Sequence, residues 1–161
     1  MQKELVRIRK YNRKLLQHLA DLEQQSFGEG GLTNKWLLVP MIKFGCVYAL
    51  YIDGYLAGAA QLLRAWEEPQ RAYLYGLSLH PKFRSKGLGT EFMYEILADL
   101  GKERFKEVFL TVHPKNKAAV HIYKHKFHFE TLQEEKDAYG TDENRLVMRK
   151  DLHEQFAPVG N

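Results

Sequence analysis

Positions 84–90 read Arg-Ser-Lys-Gly-Leu-Gly-Thr, a set of residue types suited to holding an anion. Gly87 and Gly89 lack a Cβ, so backbone there can approach a pyrophosphate closely, while Arg84 and Lys86 add charge and Ser85 and Thr90 add hydroxyl donors. Residues 82–86 hold three cations and no acid, against a whole-chain excess of four (24 Lys and Arg, 20 Asp and Glu). A plainer reading is also open, in which the glycines shape a turn and the cations are solvated. Two nucleotide signatures do not fit. A Walker loop needs Gly-Lys-Ser/Thr, and here the lysine precedes the glycine; the dinucleotide fingerprint needs a small residue three beyond Gly89, where Phe92 stands. Further along, Asn116, Ala119 and Tyr123 fall at helical spacing. Read from the helix alone, Tyr123 is a core aromatic on its buried face. The single Cys46 excludes an internal disulfide and a four-ligand Cys/His zinc site, and as a nucleophile it would begin an apolar strand with no identifiable base beside it.

Hydrophobic periodicity outlines the elements that must position these groups. Residues 5–9 alternate weakly as a strand, and Leu15, Leu16, Leu19 and Leu22 follow at helical spacing until the glycines of 28–31. Thr33 and Asn34 can cap a second short helix through Trp36, Leu37 and Leu38, which Pro40 restricts. Strands over 46–52 and 56–66 flank Asp53-Gly54, a strong two-residue hairpin signal. A strand over 71–79 then ends at Pro81 and delivers the basic loop. The helix after it carries Leu88, Phe92, Met93, Ile96, Leu97 and Leu100 on one face, with Gly101 as its expected stop. Residues 107–113 alternate as a strand closed by Pro114, Asn116 caps a helix bearing Ala119, Val120 and Tyr123, and strands over 127–132 and 145–148 surround Tyr139-Gly140. The order is predominantly α/β. A strand feeding a glycine loop and a helix places unpaired N–H groups and the positive end of the helix dipole at one point, which favours phosphate.

Composition bounds what else the chain can be. At 161 residues, with 45% hydrophobic and 27% charged residues, it reads as one globular domain able to bury a core. Residues 1–11 are polar and basic with no apolar stretch behind them, and the apolar run 45–52 is far below the about 20 residues a bilayer requires. No membrane association is expected, and one cysteine suits a reducing, cytoplasmic setting. No metal site is expected either. The aromatic and basic residues of 124–129 carry no recognisable RNA-binding motif, so nucleic acid is not expected as a partner. A homodimer is left open.

The pattern Arg84-x-x-Gly87-x-Gly89 resembles the acyl-CoA loop of the GCN5-related N-acetyltransferase (GNAT) family, Q/R-x-x-G-x-G/A. The family's next motif is matched by Asn116-x-x-Ala119-x-x-x-Tyr123, and 146–152 resembles its closing strand, so the resemblance covers 5–152 in element order, with 153–161 as a short tail. It implies an α/β fold with a mixed, mostly antiparallel sheet whose central strands, 73–79 and 108–113, splay apart to admit acetyl-CoA. Backbone near Leu77 and Leu79 would bond the pantetheine. The residues Arg84, Ser85, Lys86, Gly87, Leu88, Gly89 and Thr90 would cradle the pyrophosphate, Asn116 with Ala119 would orient the pantetheine arm, and Tyr123 would protonate the departing thiolate. The implied reaction is acetyl transfer to a primary amine of a small molecule or peptide by direct attack in a ternary complex.

Two departures from the family pattern stand out. Tyr75, Gly76 and Thr111 occupy places where relatives often carry an acid, so no carboxylate base is assigned. Water, His113, His80, Glu67 or Glu68 would have to serve, and among these His113 is best placed. After Tyr123, relatives usually continue to Gly-Phe, whereas this chain has Phe127-His128-Phe129 and no glycine, so the local turn must differ. Glu23, Trp36 and Trp66 lie on elements that line the acceptor side in relatives; core packing or a solvated face explains them equally well. A non-catalytic acyl-CoA-binding or regulatory module is the competing reading, motivated by the missing acids.

Overall fold

Asp53 and Gly54 both take positive φ, 48° and 79°, the geometry that the two central residues of a tight hairpin require. They join β2 (Cys46–Ile52) to β3 (Tyr55–Arg64). The computed structural model describes residues 1–27 and 34–152. In chain order the other described elements are β1 (Lys3–Ile8), α1 (Arg13–Phe27), α2 (Lys35–Phe44), β4 (Arg71–Leu79), α3 (Leu88–Lys102), β5 (Glu107–Val112), α4 (Lys117–His125), β6 (Glu130–Glu135) and β7 (Arg145–Asp151). The strand order is β1-β2-β3-β4-β5-β7-β6, mostly antiparallel, with β4 and β5 parallel. The mixed α/β architecture expected from the sequence is the one observed.

The chain divides into two compact units. The first comprises Met1–Leu63 and Leu74–Ala98, and the second Arg64–Tyr73 with the chain from Asp99 onward. In the first, the helical spacing read in α1 buries Leu19 and Leu22 with Leu38 and Ala59, and a neighbouring cluster joins Ile8, Met41, Ile42, Val47 and Ala49. Leu88, Phe92, Met93, Ile96 and Leu97 of α3 are buried as their periodicity predicts. In the second unit, β5 buries Val108, Leu110 and Val112 on one face and leaves Glu107, Phe109 and Thr111 half-buried on the other. It pairs with β7 along its length, whereas its parallel ladder with β4 runs only from Arg71↔Glu107 to Tyr73↔Phe109.

Several boundaries differ from expectation for identifiable reasons. Asn34 caps α2 as expected, its Oδ1 accepting from the N–H groups of Trp36 (3.0 Å) and Leu37 (3.3 Å), but Pro40 lies inside the helix rather than limiting it. An interior proline costs about 3 kcal/mol. Burying Leu38, Met41 and Ile42 contributes about 1.5–3 kcal/mol each, which outweighs it. Helix α3 does not stop at Gly101. The stop is Arg104, which takes φ 65° while Phe105 N–H bonds the Leu100 carbonyl (3.0 Å) and Arg104 N–H bonds that of Gly101 (3.1 Å), a Schellman closure without glycine. β3 ends at Arg64, two residues short of the expected 66, and β6 begins at Glu130 rather than 127 because residues 126–129 turn back onto α4. The glycines of 28–31, Thr33 and the tail 153–161 lie outside the described residues.

Candidate active site

In the first unit, β4 runs out into a tightly bonded turn. His80 N–H donates to the Ala57 carbonyl, His80 Nδ1 accepts from Lys82 N–H (3.2 Å), and Phe83 and Arg84 N–H groups close a single 3-10 turn over Pro81–Phe83. The Arg84 guanidinium then folds back, its Nε donating to the Leu79 carbonyl at 2.9 Å. Ser85 (φ 59°) and Gly87 (φ 76°) take left-handed backbone, so the loop reverses and α3 begins at Leu88. With Glu91 N–H bonded to the Gly87 carbonyl (3.0 Å), the N–H groups of Leu88, Gly89 and Thr90 fall in the first turn, which has no intrahelical acceptors. Arg84, Ser85 and Lys86 are exposed, and the Leu88 side chain is buried, so Leu88 offers only its backbone.

The two glycines have different reasons to be there. A Cβ at Gly87 would touch nothing, and it is the positive φ that demands glycine. A Cβ at Gly89 would meet only Leu79 Cδ2 at 3.9 Å, an ordinary contact, so the protein's own packing does not require glycine at that position. Leu77 and Leu79 are half-buried, and the Leu79 carbonyl already accepts one hydrogen bond from Arg84.

A polar cluster that sequence reading had not assembled lies in the same unit. Glu23 is 3% exposed, and its Oε1 accepts from Ser78 Oγ (2.8 Å) and Gln61 Nε2 (3.2 Å). Ser78, the residue between Leu77 and Leu79, is thereby tied to α1. The fully buried Gln61 turns its Oε1, which has no hydrogen-bond partner among the described residues, toward Gly76, where a Cβ would come within 2.8 Å. A side chain at 76 would therefore require the Gln61 amide to shift. Trp36 (80%) and Trp66 (95%) are exposed, so core packing does not explain them.

In the second unit, Asn116 caps α4, its Oδ1 accepting from Ala119 N–H at 3.2 Å. Two turns on, the Tyr123 ring lies 5.7 Å from Phe129 and 6.5 Å from Phe127. Burial pushes its phenol above the ordinary range, so it stays protonated through neutral pH. The missing glycine is compensated by His128 at φ 56°, which lets Phe129 N–H return to the Tyr123 carbonyl (2.9 Å). His113 has both ring nitrogens engaged: Nδ1 accepts from Lys115 N–H (3.1 Å) and Nε2 faces the Asp142 carbonyl (3.2 Å). It holds a turn. Across β4 and β5, Tyr73 Oη and Thr111 Oγ1 are hydrogen-bonded at 3.1 Å.

The acetyltransferase (GNAT) family profile matches residues 16–129. Among solved structures, the ribosomal-protein-S18-alanine N-acetyltransferase of Escherichia coli superposes with a TM-score of 0.79 at 17% identity, over 94% of each chain. Arabidopsis thaliana Naa50, solved in complex with the bisubstrate analogue CoA-Ac-MVNAL, gives 0.73 at 22% identity, over 92% of this chain and 97% of that one. An aminoglycoside 6'-acetyltransferase type Ii gives 0.76 at 15% identity, over 94% and 97%. The profile spans well over half of the chain, which belongs to the GNAT acetyltransferase family. It is an acyltransferase by family. Among the described residues, no helix is long and apolar enough to cross a membrane, and no three His, Cys, Asp or Glu side chains gather to hold a metal.

Proposed function

We propose that this protein transfers the acetyl group of acetyl-CoA to a primary amine of a peptide or small molecule, by direct attack in a ternary complex. The observation that carries the reading is the loop between β4 and α3, where exposed Arg84, Ser85 and Lys86 precede three first-turn N–H groups opened by a left-handed Gly87. Acetyl-CoA is a cosubstrate in this reading. Its pyrophosphate lies on 84–90, its pantetheine bonds backbone near Leu77 and Leu79, and Asn116 with Ala119 orients the arm. The amine nitrogen attacks the thioester carbonyl, the C–S bond breaks, and Tyr123 gives its proton to the leaving thiolate. Acceptors named for the structural relatives, an alanine of ribosomal protein S18 and an aminoglycoside, support both acceptor types. In this reading the protein is cytoplasmic and single-domain, and its one cysteine suits a reducing setting.

One observation favours a second reading, a non-catalytic acyl-CoA-binding or regulatory module. The only carboxylate on β4 or β5 is Glu107, and it is ion-paired with Arg71 (3.1 Å) and Arg149 (3.9 Å). Incubation with acetyl-CoA and a panel of peptides, polyamines, amino acids and aminoglycosides, with thiol release followed, separates the two. Acceptor-dependent thiol release is the expected outcome. Tight CoA binding without it would establish the module instead.

A further inference from the structure

We propose that His121 and His125, on the exposed face of α4, form a two-ligand site for a divalent transition-metal ion. The two histidines stand four residues apart in a helix that runs from Lys117 to His125, a spacing that sets side chains one above the other on a single face. Both are exposed, and their ring centroids lie 4.4 Å apart at an interplanar angle of 42°. Neither takes part in acetyl transfer as read above, and the site stands whether or not that reading holds. Tyr123, between them in sequence, packs instead beside Phe127 and Phe129.

Imidazole nitrogen suits copper, nickel and zinc. Two histidines on successive turns of a helix can each give one nitrogen to the same ion, as in zinc-binding helices with this spacing. The rings of His121 and His125 are already adjacent, so chelation requires only side-chain rotation. The charges around the pair decide what kind of cation it accepts. Lys117 lies one turn before His121, and Lys124 and Lys126 flank His125; all three are exposed. The last carbonyls of α4, at the negative end of the helix dipole, oppose them only in part. Such surroundings repel a cation held by charge alone, so magnesium and calcium, which require oxygen ligands, gain nothing there. A metal that bonds to nitrogen offsets the repulsion. Among the described residues no third His, Cys, Asp or Glu joins the pair, so water fills the remaining positions and the ion is exchangeable rather than structural. Held at both rings, it ties two turns of α4 together and stabilises the folded chain by mass action.

The test titrates untagged protein with copper(II), nickel(II), zinc and magnesium by calorimetry, alongside His121→Ala, His125→Ala and, as a control at an exposed histidine of α1, His18→Ala. One ion per chain is expected, with copper tightest, as the order of divalent-metal affinities requires, and no binding of magnesium. Each α4 variant should bind copper at least about 10-fold more weakly, since loss of an outer-shell partner alone costs about 10- to 100-fold, while His18→Ala binds as wild type does. Thermal midpoints supply a second readout: zinc should raise those of wild type and His18→Ala and leave those of the α4 variants unmoved. Equal midpoints without metal check the fold, and His121→Gln and His125→Gln replace any alanine variant that fails this check. Wild-type copper affinity in either α4 variant, magnesium bound as tightly as copper, or a zinc shift that survives both substitutions would overturn the site.

Discussion

Tyr123 keeps its proton, as the proposed general-acid role requires, because of where α4 and the following turn put it. Packed beside Phe127 and Phe129, its phenol is held above its ordinary value by desolvation, so it carries its proton at any working pH. Tyr123→Phe should lower kcat about 10²- to 10⁴-fold and leave the acetyl-CoA dissociation constant unchanged. An unaltered kcat would remove the assignment. The same burial has a sign for stability. A phenol whose folded-state pKa is raised contributes fully below its unfolded value of about 10, and that contribution is lost as pH rises beyond it. Denaturant titrations of wild type should therefore show stability falling above about pH 10, and falling less steeply in Tyr123→Phe. At the same scale, Gly76 lies against the Gln61 amide, a relation that no spacing in the sequence displays.

Helix ends show how much of the element scale is written locally. Asn34 and Asn116 are caps that the sequence announces, because a short polar side chain before an apolar-periodic run satisfies N–H groups that the helix leaves open. The end of α3 is different: Gly101 looks like the stop, yet the helix passes through it and the left-handed position falls on Arg104. Leu100 and Phe105 are both buried, and bringing them together sets the register of the closure. Arg104 bears the steric cost of positive φ. Arg104→Gly should therefore stabilise the protein by about 0.5–1 kcal/mol, the relief of left-handed strain less the added backbone entropy of glycine. A lower thermal midpoint in that variant would show that Arg104 contributes a contact worth more than the strain. His128 plays the corresponding part after α4, taking φ 56° where the chain turns back onto the helix.

For the whole molecule, an excess of four positive charges means little until it is located. Lys82, Arg84 and Lys86 lie in one loop, with Lys82 held over the rings of Tyr55 (5.6 Å) and Phe83 (5.7 Å) while Arg84 and Lys86 are exposed. Attraction across solvent is screened over about 30 Å at 0.01 M salt and about 3 Å at 1 M. Raising NaCl from about 0.05 to about 0.5 M should weaken CoA binding several-fold, and pantetheine, which lacks the pyrophosphate, should show no such change. Equal salt dependence for both would place the useful charge elsewhere.

The sequence by itself determined the element order, the hairpin at Asp53-Gly54, the buried faces of α1 and α3, both asparagine caps and the basic glycine loop. Each depends on residues within one or two turns of one another, where periodicity, capping and φ preference act directly. Tertiary structure alone decided that Glu23, Gln61 and Ser78 meet, though 55 residues separate the first from the last. It also decided that Tyr73 and Thr111, 38 residues apart, share a hydrogen bond. Such pairs are made by strand register and by the closing of long loops, and their partners leave no periodic trace in the chain. The residue types of the loop could therefore be read from a string of residues, whereas the Tyr73–Thr111 contact emerges only where two strands lie side by side.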